Sequence, residues 1–495
     1  MENQPTAGVE LILCLSLYLI GLVVIGYLGK KAQKEKSLSD FYLAGRSFGF
    51  AVLFLTLYAT QYSGNTFMAF PGKTYRLGIG YIYSVAMMMS IILGYLMFAP
   101  RLVPLSRKRD YVTPTDAITD RFPHSGVRVV SALLLCWGLV NYVLAQLIAI
   151  GKAVEGMLGP WFVSHGLNGY LIAVVFLAFM MVVYETLGGM RAVAWTDALQ
   201  GILLLFGLTT VASLSVTEFG GIGDTMRTIR EHAPEKFYPP DSAGCRDMLS
   251  SIFLLFLGGP MYPHAIQRLY AANSVRTLKK SLATMVFLPL LSTLPVFLLG
   301  MVAIAQFPGL TPSESDTVTT LLLARMMEVH PAIHVGVIVV FVAAIAAIMS
   351  TADSALLSFS SIFTQDLYRP LLKSEPTQLH LYRVGKVFSW ITMAILVWVA
   401  SDPDFTLWKL LELKFEMLIQ VLPAFAIGLY STRLTSGWLL SGMLAGTALS
   451  IGLYVGAGMG ILDSAKPWNI HAGMWGLTLN SGLCGVGILS NRRND

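Results

Sequence analysis

The sequence predicts an all-α integral membrane protein with about 13 transmembrane helices. Apolar residues make up 55% of the 495 residues and charged residues only 13%, which is about half the charged share of an ordinary soluble domain. Apolar runs of roughly 18 residues or more also recur along the whole chain, and each is long enough to cross a bilayer. Such a chain can cover its apolar surface only in lipid.

Short connections join the predicted spans. The two longest, residues 217 to 247 and 307 to 332, are too short for separate folding units, so we expect one membrane domain over residues 1–495. The approximate bounds of the spans are 8 to 29, 48 to 72, 78 to 100, 127 to 158, 169 to 187, 192 to 216, 248 to 270, 281 to 306, 333 to 363, 381 to 401, 409 to 430, 437 to 460 and 473 to 490.

Basic side chains concentrate in alternate connections, after spans 1, 3, 7 and 9. Because positively charged loops stay on the cytoplasmic side, we expect a cell-membrane protein with its amino terminus outside and its carboxyl terminus in the cytoplasm. The net charge of +6 then reflects topology and indicates no nucleic-acid partner. The first apolar run lacks a basic region before it and a small-residue cleavage site, which favours a retained span over a signal peptide.

Several chemistries lack a supporting motif. The four cysteines, Cys14, Cys136, Cys245 and Cys484, are scattered singly, so neither a disulfide framework nor a metal cluster is predicted. The chain also has no HExxH motif. We therefore expect a protein that is not an enzyme, with a small-molecule solute and the lipid bilayer as its partners and no obligatory protein partner.

Two spans are predicted to be broken. In span 2, the stretch YATQYSGNTF (58–67) places polar residues and a glycine in the middle of an apolar run, and in span 7 the stretch LGGPMYPHA (257–265) contains two glycines and two prolines, which cannot jointly sustain a regular helix. Backbone groups freed inside hydrocarbon must face protein, water or an ion. Each break is therefore a candidate ligand site.

The spacing of the breaks predicts an internal repeat. Many secondary transporters consist of two repeats of opposite topology, each with a discontinuous helix at the corresponding position, and these breaks are five spans apart. Two five-helix inverted repeats would occupy residues 48–216 (spans 2 to 6) and 248–430 (spans 7 to 11). An extra first span and its loop (1–47) would precede them and two additional spans (437–495) would follow. The alternative is that both breaks are simple kinks.

Span 9, FVAAIAAIMSTADSALLSFSS (341–361), carries a narrow face of small and hydroxylated residues at helical spacing. The residues on this face are Ala347, Ser350, Thr351, Ser354 and Ser358. The hydroxyls could bind a ligand, or they could bond to the preceding turn and allow close helix packing. Asp353 lies in the same segment, and an ionisable group at that depth is a functional candidate because it needs a partner or an ion.

The broken span 2 and span 9 together can supply five oxygens for a small monovalent cation. Backbone carbonyl oxygens can replace the hydration shell of such an ion. Ala59, Tyr62 and Ala347 would contribute carbonyls, and Ser350 and Thr351 would contribute hydroxyls. Because these residues come from both repeats, occupancy of the site would depend on the relative position of the repeats, as symport requires.

Five motifs in order resemble the sodium/solute symporter family, relatives of the sodium-coupled sugar, proline and pantothenate carriers. They are DFYLAGRS (40–47), ATQYSGNTF before PGKTYRLG, ETLGGMRAVAWTDALQ (185–200), PHAIQR (263–268) and MSTADSALL followed by QDLYRP. The resemblance covers nearly the whole chain. It implies a LeuT-like fold on spans 2 to 11 and a secondary active transporter that couples Na+ entry to solute uptake by alternating access.

The resemblance also implies two cation sites. The main sodium site falls on Ala59, Tyr62, Ala347, Ser350 and Thr351, and a possible second cation site falls on Asp197, Ser350, Asp353 and Ser354. Family members with a second ion often have only hydroxyls where this chain has Asp353, so two interpretations stay open. The carboxylates could bind an extra cation or couple a proton; alternatively, Asp197 caps span 6 and Asp353 bonds a nearby amide.

Solute contacts are expected near the two breaks. The candidates are Gln61, Ser63, Asn65, Thr66, Asn141, Gln146, Tyr262 and His264. The family's sugar carriers tend to have an acidic residue and a glutamine where this chain has Asn65 and Thr66, and its proline carriers have an aspartate at Gln61. Because amides at broken helix ends suit an anion, a small polar organic acid, amino acid or vitamin-like carboxylate is predicted.

Two further expectations concern the remaining charged residues and an alternative function. Charged side chains close to span ends usually extend to the membrane interface, so no role is predicted for Lys152, Glu155, Glu412, Lys414 and Glu416. Besides symport, the fold could serve as a membrane solute sensor. Since the sequence has no output domain after span 13, such a sensor would act through a separate partner.

Overall fold

Apolar stretches of the chain fold into helices in this computed structural model, which describes residues 4–32, 37–329, 333–401 and 406–491. Within these ranges the regular structure is helical, apart from one isolated β-bridge. A helix pairs its backbone N–H and C=O groups within one segment, which is the arrangement that hydrocarbon favours. The all-α prediction is therefore confirmed.

Ten α-helices precede the segment of the predicted span 7. They are α1 (Gln4–Lys31), α2 (Leu38–Leu43), α3 (Phe50–Gln61), α4 (Phe70–Leu77), α5 (Ser84–Leu96), α6 (Ala99–Lys108), α7 (Pro114–Arg121), α8 (Ser125–Ser164), α9 (Gly169–Glu218) and α10 (Gly221–His232).

Eleven α-helices follow. They are α11 (Ser242–Gly258), α12 (Pro263–Ala271), α13 (Val275–Met285), α14 (Leu288–Gln306), α15 (Val318–Val329), α16 (His334–Ile362), α17 (Gln378–Ala400), α18 (Leu407–Leu418), α19 (Leu422–Ala426), α20 (Ser436–Gly458) and α21 (Ala472–Ser490).

Nine of the described helical segments are long and apolar enough to cross a membrane, or ten if the bent pair of α11 and α12 counts as one span. Helix α9 has 50 residues, which as one continuous helix would extend about 75 Å, more than twice the thickness of one hydrocarbon core. Its backbone leaves helical geometry at Gly189 (φ 56°, ψ −149°), and the two segments on either side coincide with predicted spans 5 and 6. The total of about 13 spans, the membrane orientation and the division into domains stay predictions.

Both predicted helix breaks are present. Helix α3 ends at Gln61, and Tyr62 has extended backbone angles (φ −106°, ψ 102°) before a π-helical turn leads into α4. Helix α11 ends at Gly258, and a single 3-10 turn separates it from α12, with a bend of 51° between the two helices. The glycines and prolines of the second break account for this bend, because proline cannot donate the missing helical hydrogen bond.

A short backbone bridge holds the two broken spans together at one end. The Phe48 N–H, just before α3, donates to the Ala271 carbonyl (3.0 Å), and the Asn273 N–H donates to the Phe48 carbonyl (2.9 Å). Arg46 reinforces this junction by donating to the Tyr270 carbonyl (3.3 Å). The last turn of α12 and the residues before α3 are therefore fixed relative to each other.

A buried ion pair joins the first motif to the glycine-rich motif of α9. Arg191 donates two hydrogen bonds to Asp40, from Nη1 to Oδ2 (2.9 Å) and from Nη2 to Oδ1 (2.7 Å), a bidentate geometry that is both strong and directional. Gly189 lies against the Phe41 ring and backbone, where a Cβ would collide. The positive φ and this close approach explain a glycine at the point where α9 is divided.

Helix α16 lies at the centre of the molecule. Every residue from Val340 to Ile362 is buried, and the helix packs against α3, α8, α9 and α12. A helix surrounded in this way is expected to be apolar on all sides, so its buried hydroxyls and carboxylate point to a site within the bundle.

Asp316 ties the segment after α14 to three other parts of the chain. Its Oδ1 accepts a hydrogen bond from Arg76 Nη1 (3.1 Å), its Oδ2 accepts one from the Leu407 N–H (2.8 Å), and Lys152 Nζ lies 3.6 Å from Oδ2. The start of α18 is therefore anchored to a fully buried carboxylate that faces two cations.

Candidate functional site

The break in span 2 is stabilised by its own side chains and by one residue of α8. The Ser63 N–H donates to Thr66 Oγ1 (3.3 Å), and the Asn65 N–H donates to Ser63 Oγ (3.2 Å). The Gly64 N–H donates to Gln146 Oε1 (3.1 Å). These bonds satisfy backbone donors that the interrupted helix leaves free, so Gln146 supports the break instead of lining the solute cavity.

Gly64 allows the break to lie directly against α16. A Cβ at this position would collide with the side chain of Ile348 and come within 2.7 Å of Gln146 Oε1. Glycine is therefore required by the close approach of the two segments, since its backbone angles (φ −53°, ψ −31°) are accessible to any residue.

Four of the five oxygens predicted to bind the main cation lie close together. Ser350 Oγ donates to the Ala347 carbonyl (3.0 Å) and lies 3.4 Å from the Ala59 carbonyl oxygen, and Thr351 Oγ1 lies 3.3 Å from the Ala347 carbonyl oxygen. The fifth, the Tyr62 carbonyl, belongs to the first residue beyond α3, where the extended ψ angle takes it out of the helical hydrogen-bond pattern.

The residues of the predicted second cation site surround an arginine that the sequence interpretation did not assign. Arg268 Nη2 donates to Asp197 Oδ2 (2.7 Å) and also contacts Ser354 Oγ, while Arg268 Nε donates to Thr56 Oγ1 (2.8 Å). The side chains of Arg268 and Asp197 are both fully buried. The guanidinium therefore already balances the charge of Asp197. Its position in the PHAIQR motif is the signal that could have identified it.

Asp353 lies in the same network and has a different set of partners. Its Oδ2 accepts a hydrogen bond from the Tyr184 hydroxyl (2.7 Å), and its Oδ1 accepts one from Ser354 Oγ (3.1 Å). Both partners are neutral hydroxyls, and Ser354 Oγ also lies 2.6 Å from the Ser350 carbonyl oxygen. Its hydrogen-bond partners in the described chain carry no positive charge.

A small cavity adjoins the break in span 2. Its volume is about 20 Å³, enough for one or two water molecules, so a larger solute must displace side chains as it binds. The lining residues are Gln61, Ser63, Asn65, Thr66, Phe70, Met88, Ile91, Tyr142, Leu255, Tyr262, Leu411, Lys414 and Phe415.

Five of the eight predicted solute contacts line this cavity: Gln61, Ser63, Asn65, Thr66 and Tyr262. Asn141 and His264 are buried but lie outside the lining. The His264 ring packs 5.4 Å from the Tyr142 ring and 5.0 Å from the Tyr262 ring, centroid to centroid. Gln146 binds the backbone of the break, as described above.

The expectation that charged residues near span ends reach the membrane interface is wrong for most of them. Lys414 is 1% exposed and Glu416 is fully buried, and Glu412 and Lys152 are also buried. Only Glu155 is exposed. Most of α18 is buried, so the nearness of Glu412, Lys414 and Glu416 to the predicted start of span 11 did not indicate exposure.

Lys414 is the charged residue of the cavity lining that sequence interpretation missed. Its Nζ lies 3.3 Å from the centroid of the Tyr142 ring and 4.9 Å from that of Tyr262. The Tyr142 hydroxyl in turn interacts with the hydroxyls of Ser63 and Thr351. The cavity and the predicted sodium site are therefore connected through one tyrosine.

Comparison with known proteins places this geometry in a family. A model of the Sodium:solute symporter family matches residues 41–446. The chain is 26% identical over 448 residues to the osmoregulated proline transporter OpuE of Bacillus subtilis, covering 89% of this chain and 88% of that protein. It is 27% identical over 459 residues to sodium/proline symporter 2 of Staphylococcus saprophyticus, covering 91% and 87% respectively.

Solved structures show the same fold. A Na+-coupled sialic acid symporter, in a substrate-bound outward-open state, matches with a TM-score of 0.76 at 20% identity, covering 98% of this chain and 97% of that one. A nucleobase-cation-symport-1 family transporter in a closed conformation matches with a TM-score of 0.52 at 14% identity, covering 91% and 95%. The predicted LeuT-like architecture is thereby confirmed, and the chain belongs to the sodium:solute symporter family, whose members are transporters that use Na+ as the coupling ion.

Proposed function

We propose that this sodium-coupled symporter carries a small polar organic solute into the cell by alternating access, and that the solute is an organic acid, an amino acid or a vitamin-like carboxylate. The observation that supports the proposal is the shared position of two features. The end of α3 and the residue after it carry the Ala59 and Tyr62 carbonyls that would bind sodium, and Ser63, Asn65 and Thr66 just beyond them line the cavity. Ion binding and solute binding would therefore stabilise the same backbone conformation.

The sodium site would couple the ion to the position of the helices. Ala59 and Tyr62 belong to the first predicted repeat, and Ala347, Ser350 and Thr351 belong to the second. A cation bound between them favours the state in which the two groups of oxygens are close. It shifts the equilibrium between the conformations only as far as its affinity for this state exceeds its affinity for the others. A solute that needs the same state would bind more tightly when sodium is present. Sodium would bind more tightly by the same factor when the solute is present.

The second cation site would rest on Asp353 more than on Asp197. Arg268 balances Asp197, whereas Asp353 accepts hydrogen bonds from two neutral hydroxyls. Asp353, with oxygens of Ser350 and Ser354, is thus the group for which an extra cation, or alternatively a proton, would supply the missing charge. An intramembrane carboxylate in this situation is commonly part of an ion pathway.

One sodium ion per neutral or zwitterionic solute would suffice for useful uptake. Entry of one positive charge down about 100 mV releases roughly 2.3 kcal/mol, and a tenfold sodium gradient adds about 1.4 kcal/mol. Together these terms support accumulation of the solute by a few hundredfold.

Uptake by purified protein in proteoliposomes tests the proposal. A panel of labelled organic acids, amino acids, vitamins and sugars would be offered with an imposed sodium gradient and, separately, with a proton gradient. We expect sodium-dependent uptake of at least one member of the proposed classes. Uptake that follows the proton gradient without sodium, or uptake of sugars alone, would contradict it.

Variants of the predicted sodium ligands identify the site. Ser350→Ala and Thr351→Ala each remove one oxygen, and a hydrogen-bonding group to a charge is worth about 1.5–3 kcal/mol, so we expect the sodium concentration for half-maximal uptake to rise roughly 10- to 150-fold. Ser164→Ala removes an exposed hydroxyl and is the matched control. Unchanged sodium dependence in both site variants would exclude these residues as ligands.

A further inference from the structure

Lys414 carries a buried side-chain amine without a counter-ion. Its side chain is 1% exposed, and its Nζ has no hydrogen-bond acceptor within the described parts of the chain. Buried charged groups are almost always paired, because an unpaired one loses its hydration without compensation. The contacts of Nζ are aromatic rings, those of Tyr142, Tyr262 and Phe415, and these offset only part of that loss.

The neighbouring acids on the same helix are already engaged elsewhere. Glu412 accepts hydrogen bonds from Trp408 Nε1 (2.7 Å) and Lys466 Nζ (2.9 Å), and Glu416 Oε1 lies 3.1 Å from His471 Nδ1. The lining of the cavity contains no aspartate or glutamate. No carboxylate of the lining therefore lies beside the Lys414 amine on the side that faces the cavity.

From these observations we propose that Lys414 binds the carboxylate of the transported solute, and that this solute is a small organic anion without an amino group. This inference rests on the proposed function and narrows its solute class. A carboxylate in the cavity would supply the acceptor and the negative charge that Lys414 lacks. The same contact would make solute binding strongly dependent on the charge of the solute.

The rest of the lining suits the body of such an anion. Phe70, Ile91 and Leu255 provide apolar surface, and both side-chain polar atoms of Asn65 are buried without a hydrogen-bond partner. This amide can donate to or accept from a neutral hydroxyl or keto oxygen on the solute. An aliphatic or aromatic monocarboxylate with at most one or two neutral polar groups matches these surfaces.

An amino acid matches them less well. Its ammonium would find only neutral acceptors in the lining, and the sodium ion proposed for the adjacent site would repel it. The cavity therefore favours net anions over zwitterions of the same size. If one sodium ion accompanies each monoanion, the net charge moved is zero, so the membrane potential would not drive uptake at that stoichiometry.

Isosteric probes test the charge preference in the wild-type protein. Cyclopentanecarboxylate, proline and cyclopentanecarboxamide have similar size and carry net charges of minus one, zero and zero. Benzoate, phenylalanine and benzamide form a larger aromatic set. In proteoliposome uptake and competition assays with an inward sodium gradient, we expect at least one carboxylate to be recognised about 10-fold or more better than its amino acid and amide counterparts.

Variants of Lys414 test the residue itself. Lys414→Met keeps the chain length and removes the charge, and we expect it to weaken binding of the preferred carboxylate by roughly 10- to 100-fold while sodium-induced changes in tryptophan fluorescence persist. Lys414→Arg should retain carboxylate binding within about 10-fold, since the charge and donors remain. Lys409→Met, on the same helix and over the Tyr454 ring, is the control and should leave uptake unchanged.

The outcomes separate this inference from the proposed function. Sodium-dependent uptake of an amino acid or a neutral amide that equals or exceeds that of its carboxylate would overturn the role of Lys414 and leave sodium symport intact. The same holds if carboxylate affinity is unaltered in Lys414→Met. Absence of sodium-dependent uptake for every anionic, zwitterionic and neutral probe would overturn both.

Discussion

Removing one partner of the buried Arg268–Asp197 ion pair should destabilise the protein more than removing both. The two side chains are fully buried, and Arg268 Nη2 lies 2.7 Å from Asp197 Oδ2. Deleting one charge leaves the other desolvated and unpaired, which typically lowers the free energy of unfolding by about 3–5 kcal/mol. We expect losses of this size for Arg268→Met and for Asp197→Leu.

The double variant should recover most of that loss. Apolar side chains of similar volume often replace a buried ion pair with little cost. Here the replacement also removes the Arg268 donors to Thr56 Oγ1 (2.8 Å) and to the His264 carbonyl (3.0 Å), at about 1 kcal/mol each. We therefore expect a loss of about 2 kcal/mol for the double variant, against about 6–10 kcal/mol if the two single effects were additive.

The free energy of unfolding can be measured by titrating mixed micelles with sodium dodecyl sulfate and following the fluorescence of the nine tryptophans. Arg227→Met is the matched control, because Arg227 forms an exposed ion pair with Asp224 and should change the free energy of unfolding by less than about 1 kcal/mol. The reasoning would be refuted if each single variant lowered the free energy of unfolding by less than about 1 kcal/mol. It would also be refuted if the loss in the double variant equalled the sum of the two single losses.

Three further predictions concern the cation sites and the packing around them. Asp353→Asn should remove one positive charge per transported solute, because the carboxylate is the proposed second cation ligand; an unchanged charge-to-solute ratio in proteoliposomes would exclude it from coupling. Gly64→Ala should lower sodium affinity by roughly 10-fold or more, since its Cβ would collide with Ile348 and push the break away from α16. Gly482→Ala, with no atom within 4 Å of its Cβ, should leave sodium titrations as in the wild type. Asp316→Asn should lower the free energy of unfolding by about 1–3 kcal/mol, because it removes the charge that faces the two cations described above; sodium dodecyl sulfate titration with no shift would contradict this.

Local features of the sequence were sufficient to predict the class of fold and the place of each break. The polar segment after α3 and the glycines and prolines after α11 act through their own backbone, since proline lacks a donor and buried amides require partners. These requirements do not depend on which other segment lies nearby. The spacing of the two breaks then indicated the repeat, and the comparisons confirmed the fold.

Part of the candidate site could also be inferred, because helical periodicity places residues on a common face. Ser350 and Thr351 were predicted to meet the carbonyls of span 2, and the structure brings Ser350 Oγ within 3.4 Å of the Ala59 carbonyl oxygen. The solute contacts were harder to predict from the sequence. Gln61, Ser63, Asn65 and Thr66 line the cavity because they lie at the break itself. Asn141 and His264 are buried outside the lining, and polarity alone did not distinguish them.

By itself the sequence determined that the chain crosses a membrane, where its helices are interrupted, and which hydroxyls can share a face, because each property depends on neighbours within a few residues. Only the tertiary structure decided that Arg268 balances Asp197 and that Lys414 is buried against Tyr142 beside the cavity. These contacts join residues far apart in the chain. The exposure and pairing of a charged side chain depend on which helices surround it, and the helix that carries the charge does not contain that information.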